Sequence, residues 1–230
     1  MKNSYDPAWV RENLMGPDAL QLTDSLTQHM ELKPGMRVLD LGCGRGLSSV
    51  FMAKEFGVTV FACDLWIDPT ENQERFLAQG VDKKTFAFRA EAHSLPFERG
   101  FFDAVISVDA YQYFGTDDLY LTQYLLPFLK TGASLGLAVP GLKMEWDRVP
   151  DYLKPHWELE MHGFHSALWW KHHWEKTGLV KVEYSESETH LDRYWRSWLD
   201  SGNPYVEGDA ALVEAGRNDL VFVFQTAHKI

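Results

Sequence analysis

A chain of 230 residues, 45% hydrophobic and 24% charged, has the composition of a soluble globular protein of one domain, with room for a lid or insertion. Its net charge of −11 disfavours a nucleic-acid or anionic-membrane surface, because phosphate binding needs clustered lysine and arginine. No apolar run reaches the length of about 18 residues that suggests a membrane span, the opening "MKNSYDPAWV" has no signal-peptide core, and two lone cysteines fit a reducing cytoplasm, the expected location.

In chain order, residues 18–32 carry Leu22, Leu26 and Met30 at helical spacing before "KPG" breaks the pattern. "MRVLDLG" (36–42) reads as a buried strand and "LSSVFMAKEFG" (47–57) as a helix closed by Gly57. "VTVFACD" (58–64) is a second strand. "TENQERFLAQG" (70–80) is a helix with Thr70 as the expected cap and Gly80 beyond its end. Strands follow at "TFAFRA" (85–90) and "FDAVISV" (102–108). Residues 117–132 predict a helix interrupted near Pro127, and "ASLGLAVPG" (133–141) a fifth strand. "HSALWWKHHWEKTG" (165–178) is a helix, "LVKVEYSE" (179–186) a sixth strand, and "DLVFVFQTAHK" (219–229) a seventh. Strands alternating with helices predict a doubly wound, mainly parallel α/β sheet covered on both faces, with the last strand as an antiparallel insertion at one edge.

The first strand runs into "DLGCGRG", where Gly42, Gly44 and Gly46 fall at every second position. Such a loop, beyond the carboxyl end of a strand, lets backbone approach a ligand closely and opens a helix whose amides face it. It is not the dinucleotide spacing G-x-G-x-x-G, since position 47 is Leu47. Asp40, just before the loop, is unfriendly to a pyrophosphate and suits a ligand with an ammonium group. Asp64 ends the second strand, where a carboxylate can accept from both hydroxyls of a ribose. "AEAHSLPF" (90–97) places Glu91 after the third strand, and "FFDAVISVDAYQYF" (101–114) carries the fourth strand to Asp109.

These four motifs, in order through about residues 33–140 and more weakly through 165–183, resemble the class I S-adenosylmethionine-dependent methyltransferases, in particular a small-molecule group similar to methyltransferase type 11. The resemblance implies a Rossmann-like, seven-stranded sheet with an antiparallel last strand. It implies S-adenosylmethionine as cofactor and S-adenosylhomocysteine as product. Asp40 and the backbone of Gly42, Cys43, Gly44 and Gly46 would then hold the methionine part, and Asp64 the ribose. Leu65 and Trp66 would flank the adenine, Glu91 with Ala92 would read its amino group, and Asp109 would run under the sulfonium. The implied layout is a single domain over 1–230: an N-terminal helical lid (1–32), a cofactor-binding core (33–140), and cap insertions at 141–165 and 186–210.

The acceptor pocket is expected over the fourth and fifth strand ends. Tyr111, Tyr113, Trp146, His162 and His165 are its candidate substrate residues, with Tyr113 and His165 as catalytic candidates. An aromatic cap suits a small organic acceptor and also a cation. His156, Glu158, Glu160, His162 and His165 lie close enough in sequence to suggest a metal site, but there is no HExxH-type spacing, so no metal is expected. The function this predicts is methyl transfer by in-line displacement to a small molecule through N, O, S or C. The alternatives are a protein or RNA methyltransferase, against which the acidic charge and the missing "NPPY" signature count, and a non-catalytic nucleoside binder. A monomer or homodimer is expected, with a small-molecule acceptor as partner and neither nucleic acid nor membrane.

Overall fold

The computed structural model describes residue 1 and residues 3–230; Lys2, part of the predicted lid, lies outside the described residues. Five strands form the parallel part of the sheet: β1 (Arg37–Leu41), β2 (Thr59–Asp64), β3 (Thr85–Arg89), β4 (Phe102–Val108) and β5 (Leu129–Leu142). β6 (Val180–Glu188) and β7 (Leu220–Lys229) complete it in the order β3-β2-β1-β4-β5-β7-β6. β7 runs antiparallel to both β5 and β6, as the sequence predicts, but it is not at the edge expected for it: it lies between them, paired on both sides, and β6 is the edge strand. Strand order reverses between β1 and β4, which opens a crevice beyond their carboxyl ends.

Each strand feeds two cores, one on each face of the sheet, because successive side chains point to opposite sides. Val38, Ala104, Ile106, Phe222 and Phe224 pack on one face against α2 (Ala19–Thr27) and α3 (Leu47–Phe56). Leu39, Val105, Leu137, Val221 and Val223 pack on the other, where Trp170 and Trp174 of α5 (Ala167–Glu175) are buried. The near-continuous apolar runs in β1, β4 and β7 are what a sheet covered on both faces requires.

Three local expectations are corrected. The first helix of the prediction ends at Thr27, not 32, and Met30 instead packs on β5, where a Cβ on Gly136 would lie 2.4 Å from its sulfur. α4 (Pro69–Ala78) is capped by Asp68, not Thr70: its side chain accepts from the Thr70 amide at 2.8 Å, with Pro69 at the first helical position. The predicted helix at 117–132 is a π-helical turn, Tyr120–Leu125, followed by a 3₁₀ turn, Leu126–Phe128. Pro127 has no N–H to continue it, and the chain enters β5 at Leu129.

Two helices outside the prediction shape the site. α1 (Pro7–Asn13) precedes α2, and α7 (Val206–Ala215) follows α6 (Asp192–Leu199). α6 buries Tyr194, Trp195 and Trp198, and its Tyr194 ring lies 5.2 Å from Phe222 of β7. Asp18 ties this helix to the N-terminal segment: its side chain caps α2 and accepts from Ser197 at 3.0 Å, while its amide donates to the Tyr194 carbonyl.

Candidate functional site

The loop after β1 folds tightly because its own amides are used inside the fold. The amides of Gly42 and Cys43 both donate to the Cys63 carbonyl at 2.9 Å, that of Gly44 donates to Asp64 Oδ2 at 2.8 Å, and that of Gly46 to the Cys43 carbonyl. The loop therefore offers a ligand a shape more than a set of free donors. A Cβ on Gly42, at φ +79°, would lie 2.3 Å from the Ala110 Cβ, so the β1 and β4 loops touch with no room for a side chain.

Between these loops lies a cavity of about 320 Å³, within the usual range for small-molecule sites. Gly42, Cys43 and Gly44 line it from β1, Asp64, Leu65 and Trp66 from β2, Glu91 and Ala92 from β3, and Asp109 from β4. The sequence reading named all of these as cofactor residues, and the fold brings them to one chamber. Asp40 and Gly46 stand apart from its wall. Asp40 is fully buried behind Ser48, which faces the cavity; Ser48 and Ser49 donate to Asp40 Oδ2, and Oδ1 has no partner. Burial raises its carboxyl to about 6 despite those two hydroxyls. Gly46 instead starts α3, where a Cβ would strike the Phe76 ring at 2.5 Å.

Asp64 organises both neighbouring loops. Oδ2 takes the Gly44 amide, and Oδ1 takes the amides of Trp66 at 2.8 Å and Ile67 at 3.0 Å. A carboxylate has about four acceptor positions, so three are filled by backbone and one remains for a ligand hydroxyl. Glu91 bonds the amide and ring of His93, which also lines the cavity. The Cys43 and Cys63 thiols are free and buried; burial raises Cys43 well above its usual value and pushes Cys63 up to about 12, which leaves both inert as nucleophiles.

A second cavity, of about 160 Å³, adjoins the first. Met15, Gly16, Pro17, Asp109 and Tyr113 line both. Part of the "ENLMGP" stretch (12–17) thus borders both cavities, and the Arg45 guanidinium donates to the Glu12 carbonyl at 2.9 Å, tying it to the glycine loop. "SYDPAW" (4–9) lines neither cavity: Tyr5 stacks on Phe51 and donates to Glu55, both of α3.

Asp109 adopts φ +52°, a left-handed conformation that aspartate tolerates better than most residues. Its carboxyl is raised to about 7, chiefly by burial, with the Gln112 amide at 3.3 Å opposing and the charge of Asp209 adding to the rise. A carboxyl raised on folding gives stability that is present at low pH and lost as pH climbs through its folded value. Asp109→Asn should therefore raise the melting temperature of the ligand-free protein most at about pH 8, above the folded value, and by a clearly smaller amount at about pH 5, which lies between the unfolded and folded values. Equal shifts at the two pH values would remove burial of this charge as the cause.

Four predicted substrate residues are not at either cavity. The turn Tyr111–Tyr113 is 3₁₀, so its side chains diverge: Tyr111 enters the core at 5.6 Å from both Trp170 and Trp174, while Tyr113 lines the cavities and meets Trp66 edge-on at 5.8 Å. Burial, then Asp109, raises the Tyr113 phenol, so it stays a neutral donor near neutral pH. Trp146 packs on Trp157 at 5.5 Å, and His162 lies edge-on to the same indole. His165 stacks on Trp169 at 3.6 Å and bonds Glu145 at 3.0 Å, so the catalytic role expected of it has no support in its position. Among the described residues no group of three or more His, Cys, Asp or Glu side chains converges as a metal site, and no helix is long and apolar enough to cross a membrane.

The sequence reading missed the wall supplied by α7. Asp209, Leu212 and Val213 face the second cavity, with Met161 and Phe164 of the 141–165 segment opposite. The alternation in "VEGDAALVEA" carries a helical signal, but nothing in it says which way the helix folds back.

Residues 38–132 match a family model described as a methyltransferase domain. A "Probable fatty acid methyltransferase" of Pseudomonas putida is 26% identical over 223 residues, which cover 91% of this chain and 55% of that protein. The chain spans about half or less of the length of the curated relatives it matches. Geranyl diphosphate C-methyltransferase from Streptomyces coelicolor A3(2), solved with Mg²⁺, geranyl diphosphate and S-adenosyl-L-homocysteine, superposes with a TM-score of 0.74 at 18% identity, over 93% of this chain and 78% of that one. The structure of the [4+2]-cyclase SpnF superposes with a TM-score of 0.73 at 18% identity, over 92% of this chain and 81% of that one. At such identities the likeness is one of fold.

Proposed function

We propose, from the premise that this chain carries a class I S-adenosylmethionine-dependent methyltransferase domain, that it binds S-adenosylmethionine in the first cavity and methylates a small molecule held in the second. The observation that carries the reading is the shared wall: Asp109, Tyr113 and the Met15–Pro17 segment border both chambers, so a group at the inner end of one faces the contents of the other.

The residues fit the cofactor's parts. The glycine loop leaves a smooth floor, because a Cβ at Gly42 or Gly44 would meet Ala110 or Met15. Asp64 keeps one acceptor position for a ribose hydroxyl, and Leu65, Trp66 and Ala92 offer apolar edges for a purine. Three carboxylates, Asp64, Glu91 and Asp109, suit a ligand that carries positive charge. When bound, S-adenosylmethionine supplies a sulfonium methyl already activated for displacement. What remains for the protein is to align the acceptor and exclude water, which in good cases contributes on the order of 7 kcal/mol or more. The lid segment and the exposed rings of Trp66 and Tyr113 are placed for that exclusion.

The likeness to a [4+2]-cyclase favours a second reading, in which the nucleoside site is kept but no methyl group leaves it. An RNA acceptor is disfavoured by the net charge of −11. The proposed setting is the cytoplasm, as a monomer or homodimer.

Calorimetric titration tests the cofactor. S-adenosylmethionine is expected to bind in the micromolar range and NADH not at all; absence of S-adenosylmethionine binding would defeat the proposal. A labelled methyl group, followed into small amines and phenols, then separates turnover from binding alone.

A further inference from the structure

The second cavity has an unusual balance of charge. Asp109 and Asp209, both partly buried, face it from β4 and α7, and the exposed Glu158 and Glu160 line it from the 141–165 segment. No lysine, arginine or histidine lines it, and none pairs with any of these four carboxylates among the described residues. Asp109 has only the Gln112 amide as partner, and Asp209 only the Trp198 indole, which donates to Oδ2 at 2.7 Å. Gln112 and Tyr113 add polar groups, and Trp195, Phe222 and Phe164 supply rings to the apolar part of the lining.

A second observation points the same way. Gln112 lines this cavity, is 3% exposed, and its side-chain Oε1 has no hydrogen-bond partner. A buried acceptor left unpaired costs roughly 1–3 kcal/mol, and this oxygen, closed to solvent here, is relieved by a donor that the Gln112 side chain turns to meet. Apart from the Tyr113 hydroxyl, the Gln112 amide and the Trp195 indole, the polar side chains of the chamber are acids. An anionic acceptor would meet repulsion there and find no counter-charge. A bare metal ion would find no three ligating side chains converging among the described residues.

We infer that the second cavity recognises a small organic cation, an amine with an apolar body, so that the acceptor is an amine nitrogen; this rests on the methyl transfer proposed above. Aspartates 109 and 209 hold the ammonium, Gln112 Oε1 accepts one of its hydrogens, and the rings cover the body and the cation's face. A protonated amine must lose one proton before its lone pair can attack. The Asp109 carboxylate stands at the junction of the chambers to take it. The nitrogen lone pair then forms the N–C bond while the C–S bond breaks, its electron pair returning to sulfur. Positive charge passes from sulfonium to the methylated ammonium, beside the same acids. The polar and titratable groups that line the chambers with Asp109 are Gln112, Tyr113, Asp209, Glu158 and Glu160 in one and Asp64, Glu91, His93 and Arg45 in the other; of these, Gln112 and Asp209 act on its carboxyl most directly.

Benzylamine, benzyl alcohol and benzoate share a body and differ in charge, and each is titrated calorimetrically into the protein with and without saturating S-adenosylhomocysteine. Benzylamine should bind at least about tenfold more tightly than benzyl alcohol, and benzoate more weakly than both. Asp209→Asn keeps an acceptor for Trp198 and should lose most of that preference while leaving benzyl alcohol unchanged. The exposed pair Glu158→Gln with Glu160→Gln should reduce it by a smaller factor. Benzyl alcohol or benzoate binding as tightly as benzylamine, no binding of any probe, or full preference in both variants would overturn the inference. Failure of S-adenosylhomocysteine to bind while the amine preference holds would overturn the methyl-transfer reading alone.

Discussion

Asp64→Ala should lower S-adenosylmethionine affinity on the order of a hundredfold or more, which is about 3 kcal/mol. The size follows from the double task of the carboxylate. It accepts three backbone amides, from Gly44, Trp66 and Ile67, and so fixes the β1 and β2 loops relative to each other. Hydrogen bonds to a charged acceptor contribute about 1.5–3 kcal/mol each. Removing the acid therefore frees both loops as well as the acceptor position facing the cavity. Asp64→Asn, which keeps one carbonyl oxygen, should lose less. Calorimetric titration of the two variants beside the wild type reads this directly. Unchanged affinity in the alanine variant would take Asp64 out of the site.

Gly42→Ala should be the most damaging small substitution in the loop. The residue has φ +79°, which costs an alanine about 1–2 kcal/mol, and its new Cβ would lie 2.3 Å from that of Ala110. Ala110 is itself buried, on a segment held by the bond from the Asp109 amide to the Ala138 carbonyl, so the clash cannot be relieved by a side-chain rotation. Overpacking of this kind adds about 1–3 kcal/mol. Gly80→Ala supplies the control: its φ is +68°, yet nothing lies within 4 Å of the added Cβ. The expected order of melting temperatures is wild type, then Gly80→Ala, then Gly42→Ala well below. Equal melting temperatures for the two variants would show that β1 and β4 are not in close contact at this point.

Of the chamber proposed for the cofactor, most of the lining was readable in advance, because its residues lie at strand ends or in the loops that directly follow them. A strand end is a local feature: Asp64 and Asp109 close runs of apolar residues, and the parallel register places those ends on one edge of the sheet. Asp40 shows the limit of that reasoning. It sits on β1 itself, where alternation turns its side chain into the space under α3, toward the hydroxyls of Ser48 and Ser49.

The acceptor side was far less readable. Tyr111 and Tyr113 are two residues apart in an aromatic run, and a 3₁₀ turn sends one into the core and leaves the other at the cavity. His165 and Trp146 have the chemistry of substrate residues, but their stacking partners, Trp169 and Trp157, are chosen by how the 141–165 segment packs. Asp209 is unremarkable in "VEGDAALVEA" until α7 brings it opposite Asp109.

The sequence by itself determined the strand–helix alternation and the strand-end loops proposed for the cofactor, because periodicity, glycine spacing and strand-end acids act over a few neighbouring residues. Only the tertiary structure decided which acids share the second chamber, which aromatic rings are core, and that Gln112 is left with an unpaired oxygen there. Those outcomes depend on contacts between segments some hundred residues apart, whose geometry is set by the packing of whole helices on the sheet and leaves no local pattern in the chain.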